Sequence, residues 1–147
     1  MRFMILVPAS KESESGTLPS ETMLREMGKY NEELVKAGVM LAGEGLTPSS
    51  QGARVTFRGS KAPTVVDGPF AESKEMVAGF WIWQVKSKEE AVEWLKRAPF
   101  GKFGDEPVSV EIRRIFDPAD FAASDPSGEL RKKGAELRAT LEGRQRS

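Results

Sequence analysis

The 147-residue chain contains no cysteine and no histidine. The first absence excludes disulfides and thiolate nucleophiles and suits a reducing compartment, so a cytoplasmic location is expected. The second removes the usual general base near neutral pH and the commonest zinc or copper ligand, and neither a metal nor a cofactor is expected. Net charge is missing too: 22 Lys+Arg face 22 Asp+Glu, leaving no overall field to attract nucleic acid or an anionic membrane. No apolar run approaches the roughly 20 residues of a membrane span. The apolar start, Met1 to Pro8, is too short for a signal peptide. Phosphate loops, nucleophile elbows and dinucleotide fingerprints are also absent.

What remains is a chain with 39% hydrophobic and 30% charged residues, long enough to bury one core. Arg2 to Pro8 is nearly continuous in apolar residues and predicts a central strand. Ala9 to Pro19 reads as a mobile polar loop. Met23, Met27, Tyr30, Leu34 and Ala37 recur at spacings of four and three, which predicts a helix over 20–37 with Ser20 as N-cap and Gly38 as stop. Val39 to Leu46 is a second strand carrying Glu44 between two glycines. Glu44 is read either as facing a cavity or as a solvated residue at a bulge. Ala53 to Arg58 alternates as a half-exposed strand, and Thr64 to Val66 makes another short one.

Ala78 to Val85 is the strongest strand signal. Phe80, Ile82 and Gln84 point one way; Gly79, Trp81, Trp83 and Val85 point the other, and the two tryptophans are read either as covering a helix or a subunit interface or as stacking a ligand ring. Ser87 to Glu90 has the spacing of a capping box, opening a helix to Arg97 with an expected Glu93–Arg97 pair. Val108 to Ile115 alternates as the last strand, with Val108, Val110 and Ile112 inward. The composition changes after Phe116, giving expected domains 1–116 and 117–147. A charged helix is expected from Pro126 to about Leu141, with Leu130, Leu137 and Leu141 as a narrow stripe and a frayed end after Gly143.

This order predicts an α+β domain of ferredoxin-like type. An antiparallel sheet carries two main helices on one face, and a C-terminal helix follows. The other face is left uncovered, and Trp81 with Trp83, or the set around Phe57, is expected there, covered by a second copy of the chain.

The densest polar stretch joins the two middle strands: Asp67-Gly68-Pro69-Phe70-Ala71-Glu72-Ser73-Lys74-Glu75. With the following Gly79-Phe80, with Asn31-Glu32-Glu33-Leu34 and with Gly43-Glu44-Gly45-Leu46, it resembles the DGPF-type proteins of the YCII-related family. The resemblance spans roughly Arg2 to Arg114. It implies a dimeric α/β-barrel arrangement with a cleft near the motif. It also implies an accessory or regulatory role, since DGPF members often lie beside genes for extracytoplasmic-function sigma factors. Some relatives act on chlorinated hydroxyquinones through a His-Asp pair, an assignment that does not transfer to a chain without histidine.

Two functions stay open. One is a homodimeric small-ligand-binding or regulatory module, with Glu44, Arg54, Asp67, Gly68, Pro69, Phe70, Lys74 and Glu75 as candidate ligand-binding residues. The other is a small lyase or isomerase using Asp67 or Glu72 as general base on a small organic acid or ring, with Lys74 or Arg54 steadying an anion. Asp67 also has a purely structural reading, as acceptor in an Asx-type turn.

Overall fold

The computed structural model describes residues 1–72 and 75–146. The described chain separates into two compact units, Met1–Arg114 and Ile115–Ser147.

In the first unit, strand β1 (Arg2–Pro8) leads through a short helix α1 (Lys11–Glu14) to helix α2 (Glu21–Lys36) and strand β2 (Met40–Gly45). A hairpin of β3 (Ala53–Thr56) and β4 (Thr64–Asp67) follows, then β5 (Val77–Gln84), helix α3 (Lys88–Lys96) and β6 (Glu111–Arg114). Four strands form one sheet in the order β2-β5-β1-β6, and every pairing in it is antiparallel. Two β-α-β units thus interleave, which is the ferredoxin-like arrangement. The hairpin β3–β4 forms a separate two-stranded sheet.

The sheet is held by one face. Phe3, Ile5, Trp81, Trp83 and Val85 from the strands are buried with Tyr30 and Leu34 of α2, Val39, and Ala91 of α3. Both main helices therefore cover the same side. The Tyr30 hydroxyl donates to the Trp94 carbonyl at 2.6 Å, tying α2 to α3. Burial pushes the Tyr30 hydroxyl well above the usual tyrosine range. Trp81 Nε1 donates to Asn31 Oδ1 at 2.9 Å, and its ring packs edge-on against Tyr30 at 5.8 Å. Trp83 lies 5.8 Å from Trp81, and its Nε1 is buried without a partner among the described residues.

This corrects one expectation. Trp81 and Trp83 do lie together on one face, but that face is the helix-covered one. The open face carries Met4 and Leu6 of β1 with Phe80 and Ile82 of β5, all half-buried. Cross-strand register sets two rows there: Glu44, Phe80, Leu6 and Glu111; then Ala42, Ile82, Met4 and Arg113. Phe57 lies just beyond β3 and is 75% exposed, so it covers nothing in this sheet.

Local chemistry explains the element ends. Ser20 accepts from the Met23 N–H at the start of α2, and Gly38 takes φ +72° just past its end. Ser87 caps α3 by accepting from the Glu90 N–H, but Glu90 reaches the Lys86 N–H at 2.7 Å, so the capping box is incomplete. Glu93 pairs with Lys96, and Arg97 pairs instead with Glu33 of α2 at 2.9 Å while stacking over Trp94. An inter-helix partner wins because α2 lies within reach of Arg97. The expected loop at 9–19 contains α1, because Ser10 and Ser13 satisfy each other's backbone N–H groups. The last strand is shorter than expected. Val110 and Ile112 pack on the core, but Val108 is 50% exposed.

In the second unit, Pro118–Phe121 forms a 3-10 turn and Glu129–Arg146 forms helix α4. Asp125 caps this helix, accepting from the Leu130 and Arg131 N–H groups and from Arg131 Nε. These bonds, led by the Arg131 backbone N–H, hold the Asp125 carboxyl below the usual range. The helix starts later than Pro126 because Asp125 and the turn at Gly128 occupy that stretch. It also continues through Gly143, where fraying was expected. Arg144 suits the negative end of the helix dipole.

Candidate functional site

The loop that begins at Asp67 is built on close backbone contact. A Cβ added to Gly68 would sit 1.8 Å from the Ser49 carbonyl oxygen. Only glycine lets the chain pass that close. The Gly68 N–H donates to the Gly52 carbonyl at 3.0 Å, and the Phe70 N–H donates to Ser49 Oγ at 3.1 Å. Between these two bonds lies a cis peptide, Gly68–Pro69. Ser49 begins the 3-10 turn Ser49–Gln51, and its own N–H donates to Glu14 Oε2 of α1 at 2.8 Å. One serine thus joins α1, the 49–51 turn and the 67–70 loop.

Arg54 of β3 completes the cluster. Its guanidinium lies 3.9 Å from the centre of the Phe70 ring, and Nη1 is 3.5 Å from Glu72 Oε2. Both partners of this pair are about half exposed, so water screens it and its contribution to stability is small.

The predicted residues thus fall into three groups. Gly68, Pro69, Phe70, Arg54 and Glu72 are brought together. Asp67 ends β4 opposite Ala53, with its side chain exposed and without a hydrogen-bond partner among the described residues. Neither an Asx-type turn bond nor desolvation acts on it there. Glu75 is exposed, and Lys74 lies outside the described residues. Glu44 belongs to the open sheet face, exposed beside Phe80. A register irregularity does occur in β2, between Met40 and Ala42, two residues before Glu44. The glycine preceding Glu44 has its own reason: a Cβ at Gly43 would meet Trp81 Cδ1 at 2.7 Å.

Glu14 and Ser49 escape sequence reasoning. Both sit in polar stretches that read as solvated loop. The available signal was the Ser10–Ser13 spacing, which marks a capped turn and so an ordered Glu14. No group of three or more acidic residues among those described is arranged to hold a metal ion. Among the described residues no helix is long and apolar enough to cross a membrane.

A solved dehydrochlorinase, the 5-chloro-2-hydroxyhydroquinone dehydrochlorinase of Burkholderia phenoliruptrix AC1100 in complex with 2,5-dihydroxybenzoquinone, is 20% identical. The match covers 79% of this chain and 94% of that one, with a TM-score of 0.44. An uncharacterised protein of Rhizobium meliloti (strain 1021) is 34% identical over 77 residues, 52% of this chain. The chain spans about three fifths of that relative's length, 60%. The model of the YCII-related domain matches residues 1–117. The chain belongs to the YCII-related family.

Proposed function

We propose that this chain is a homodimeric binding module of DGPF type, in which two copies press their open sheet faces together around a small organic ligand. The observation that carries this reading is the open face itself. Met4, Leu6, Phe80 and Ile82 form an apolar centre that no helix of the first unit covers, bordered by Glu44 on one edge strand and Glu111 and Arg113 on the other. An apolar sheet face of this kind favours a partner, and a second copy supplies one by two-fold symmetry. The row from Glu44 to Phe80 and Leu6 suits a ligand with an aromatic ring and a hydroxyl donor. The ring packs on Phe80 and the hydroxyl donates to the carboxylate.

The test is a sedimentation measurement at micromolar concentration. The wild type is expected at twice the 16.2 kDa chain mass. Ile82→Glu is expected at the single-chain mass with its helical circular dichroism intact. A wild type that sediments as a single chain ends this reading. For the ligand, hydroquinone serves as probe: it raises the melting temperature of the wild type and not of Glu44→Gln. A regulatory tie to an extracytoplasmic-function sigma factor belongs to the same reading, supported by the motif resemblance, and co-purification with such a factor tests it.

One observation favours the second reading, a lyase or isomerase with Asp67 as base. That carboxylate is exposed and unpartnered among the described residues, which leaves it open to a substrate. Glu72, the other candidate, is already paired with Arg54. Loss of turnover of a ring or organic-acid substrate in Asp67→Asn, at unchanged stability, separates this reading from the first.

A further inference from the structure

The two faces of the β3–β4 hairpin are not alike. On one, Val55 lies directly opposite Val65, and Phe57 follows two residues on. Both valines are more than half exposed and Phe57 is three-quarters exposed. The other face carries Arg54 opposite Val66 and Thr56 opposite Thr64, and its Arg54 lies over the chain's own Phe70. One side of the hairpin thus has a contact in its own loop, while the Val55–Val65–Phe57 side stays open to solvent. The hairpin is also fixed before any partner arrives, since the Gly68 and Phe70 N–H groups donate to Gly52 and Ser49. An arm that is already ordered loses little entropy on docking.

Surface area decides which partner such an arm fits. The sheet-face dimer proposed above relies on Met4, Leu6, Phe80 and Ile82, which are half-buried and together leave at most about 300 Å² exposed. A standard interface takes about 800 Å² from each partner, roughly 60% of it apolar, or about 500 Å². The four sheet residues fall short of that. Val55, Val65 and Phe57 expose about 350 Å² more, and the two surfaces together pass it. They are also contiguous along the chain. The hairpin links β2 to β5 and leaves the sheet just past the row that pairs Glu44 with Phe80, where the Leu46 N–H donates to the Ala78 carbonyl at 2.7 Å. A second copy has no net charge to oppose its approach.

We propose that the Val55–Val65–Phe57 face of each hairpin packs on the second copy and completes the dimer. This contact rests on the sheet-face reading and supplies the apolar area that the open face lacks. By two-fold symmetry each copy gives one arm and receives one, so every substitution acts twice.

Sedimentation equilibrium over a range of concentrations measures the dissociation constant. Val55→Asp combined with Val65→Lys sets opposite charges across the hairpin, which keeps the strands paired while making the face polar. It is expected to weaken the dimer by at least about 100-fold, because charged groups then lose water in an apolar contact. Thr56→Asp combined with Thr64→Lys makes the same change on the other face and is expected to weaken it by less than about fivefold. Equal effects from the two pairs, or no effect from either, overturn the contact. Hydrogen exchange at 55–57 in the wild type identifies the occupant. Protection there is expected to rise with concentration in step with the dimer. Protection that is the same at every concentration overturns the contact, since cover from within the chain does not dilute away. Exposure at every concentration in a dimeric wild type leaves this face to a different protein; it overturns the contact while the sheet-face dimer stands. A wild type that stays a single chain ends both.

Discussion

The four-stranded sheet and the β3–β4 hairpin are both antiparallel and both carry β-branched residues, yet they are stabilised in different ways. The sheet buries Phe3, Ile5, Trp81 and Trp83 under two helices. Every residue of β3 and β4 is exposed, including Val55, Val65 and Val66 at 51–65%. An isolated two-stranded hairpin is marginal in water. This one is held at its base by directed contacts: Gly68 to Gly52, Phe70 to Ser49, Ser49 to Glu14, and Arg54 over Phe70. Apolar patterning therefore marks strands in both places, while burial depends on whether a helix lies above them. The conspicuous loop motif serves as the fastening of the hairpin.

The sharpest way to break this contrast is Trp83→Ala. It removes the largest fully buried side chain and is expected to destabilise the first unit by about 3–5 kcal/mol in denaturant titration. A cost near that of an exposed residue would mean that the core is not where the sheet is held. Gly68→Ala comes next, at about 1–3 kcal/mol, because the added methyl meets the Ser49 carbonyl. Its effect should be local: hydrogen exchange accelerates at 53–56 and 64–67 while β5 amides keep their protection. If β5 exchange rises equally, the hairpin and the sheet open as one unit. Tyr30→Phe deletes the hydroxyl bond between α2 and α3 and is expected to cost about 0.5–1.5 kcal/mol, measurable as a lower denaturation midpoint. Glu14→Ala is the mildest, about 1 kcal/mol or less. It frees the Ser49 N–H and should quicken exchange at 49–51 without moving the global midpoint.

Most of the first unit was legible from residue patterns. Alternation placed β1 and β5, and the split of Phe80 and Ile82 from Trp81 and Trp83 was correct. Which set faced the helices stayed open between a helix and a second copy of the chain, since period-two alternation is the same whichever face is covered. The Glu93–Arg97 pair failed for a related reason. Spacing along one helix says nothing about Glu33 on its neighbour, which takes the arginine. At the loop, Gly68 and Pro69 announced a sharp bend. Their seat on Ser49, and Glu14 behind it, depends on contacts between segments 21 to 35 residues apart that no local pattern encodes.

The stacked indoles have an experimental corollary. The chain has three tryptophans and one tyrosine, at positions 81, 83, 94 and 30, and each belongs to β5 or to one of the two covering helices. Near-ultraviolet dichroism and intrinsic fluorescence will therefore watch the helix-covered layer alone. Detachment of the hairpin will be optically silent unless a chromophore is placed there on purpose, as Phe57→Trp would do.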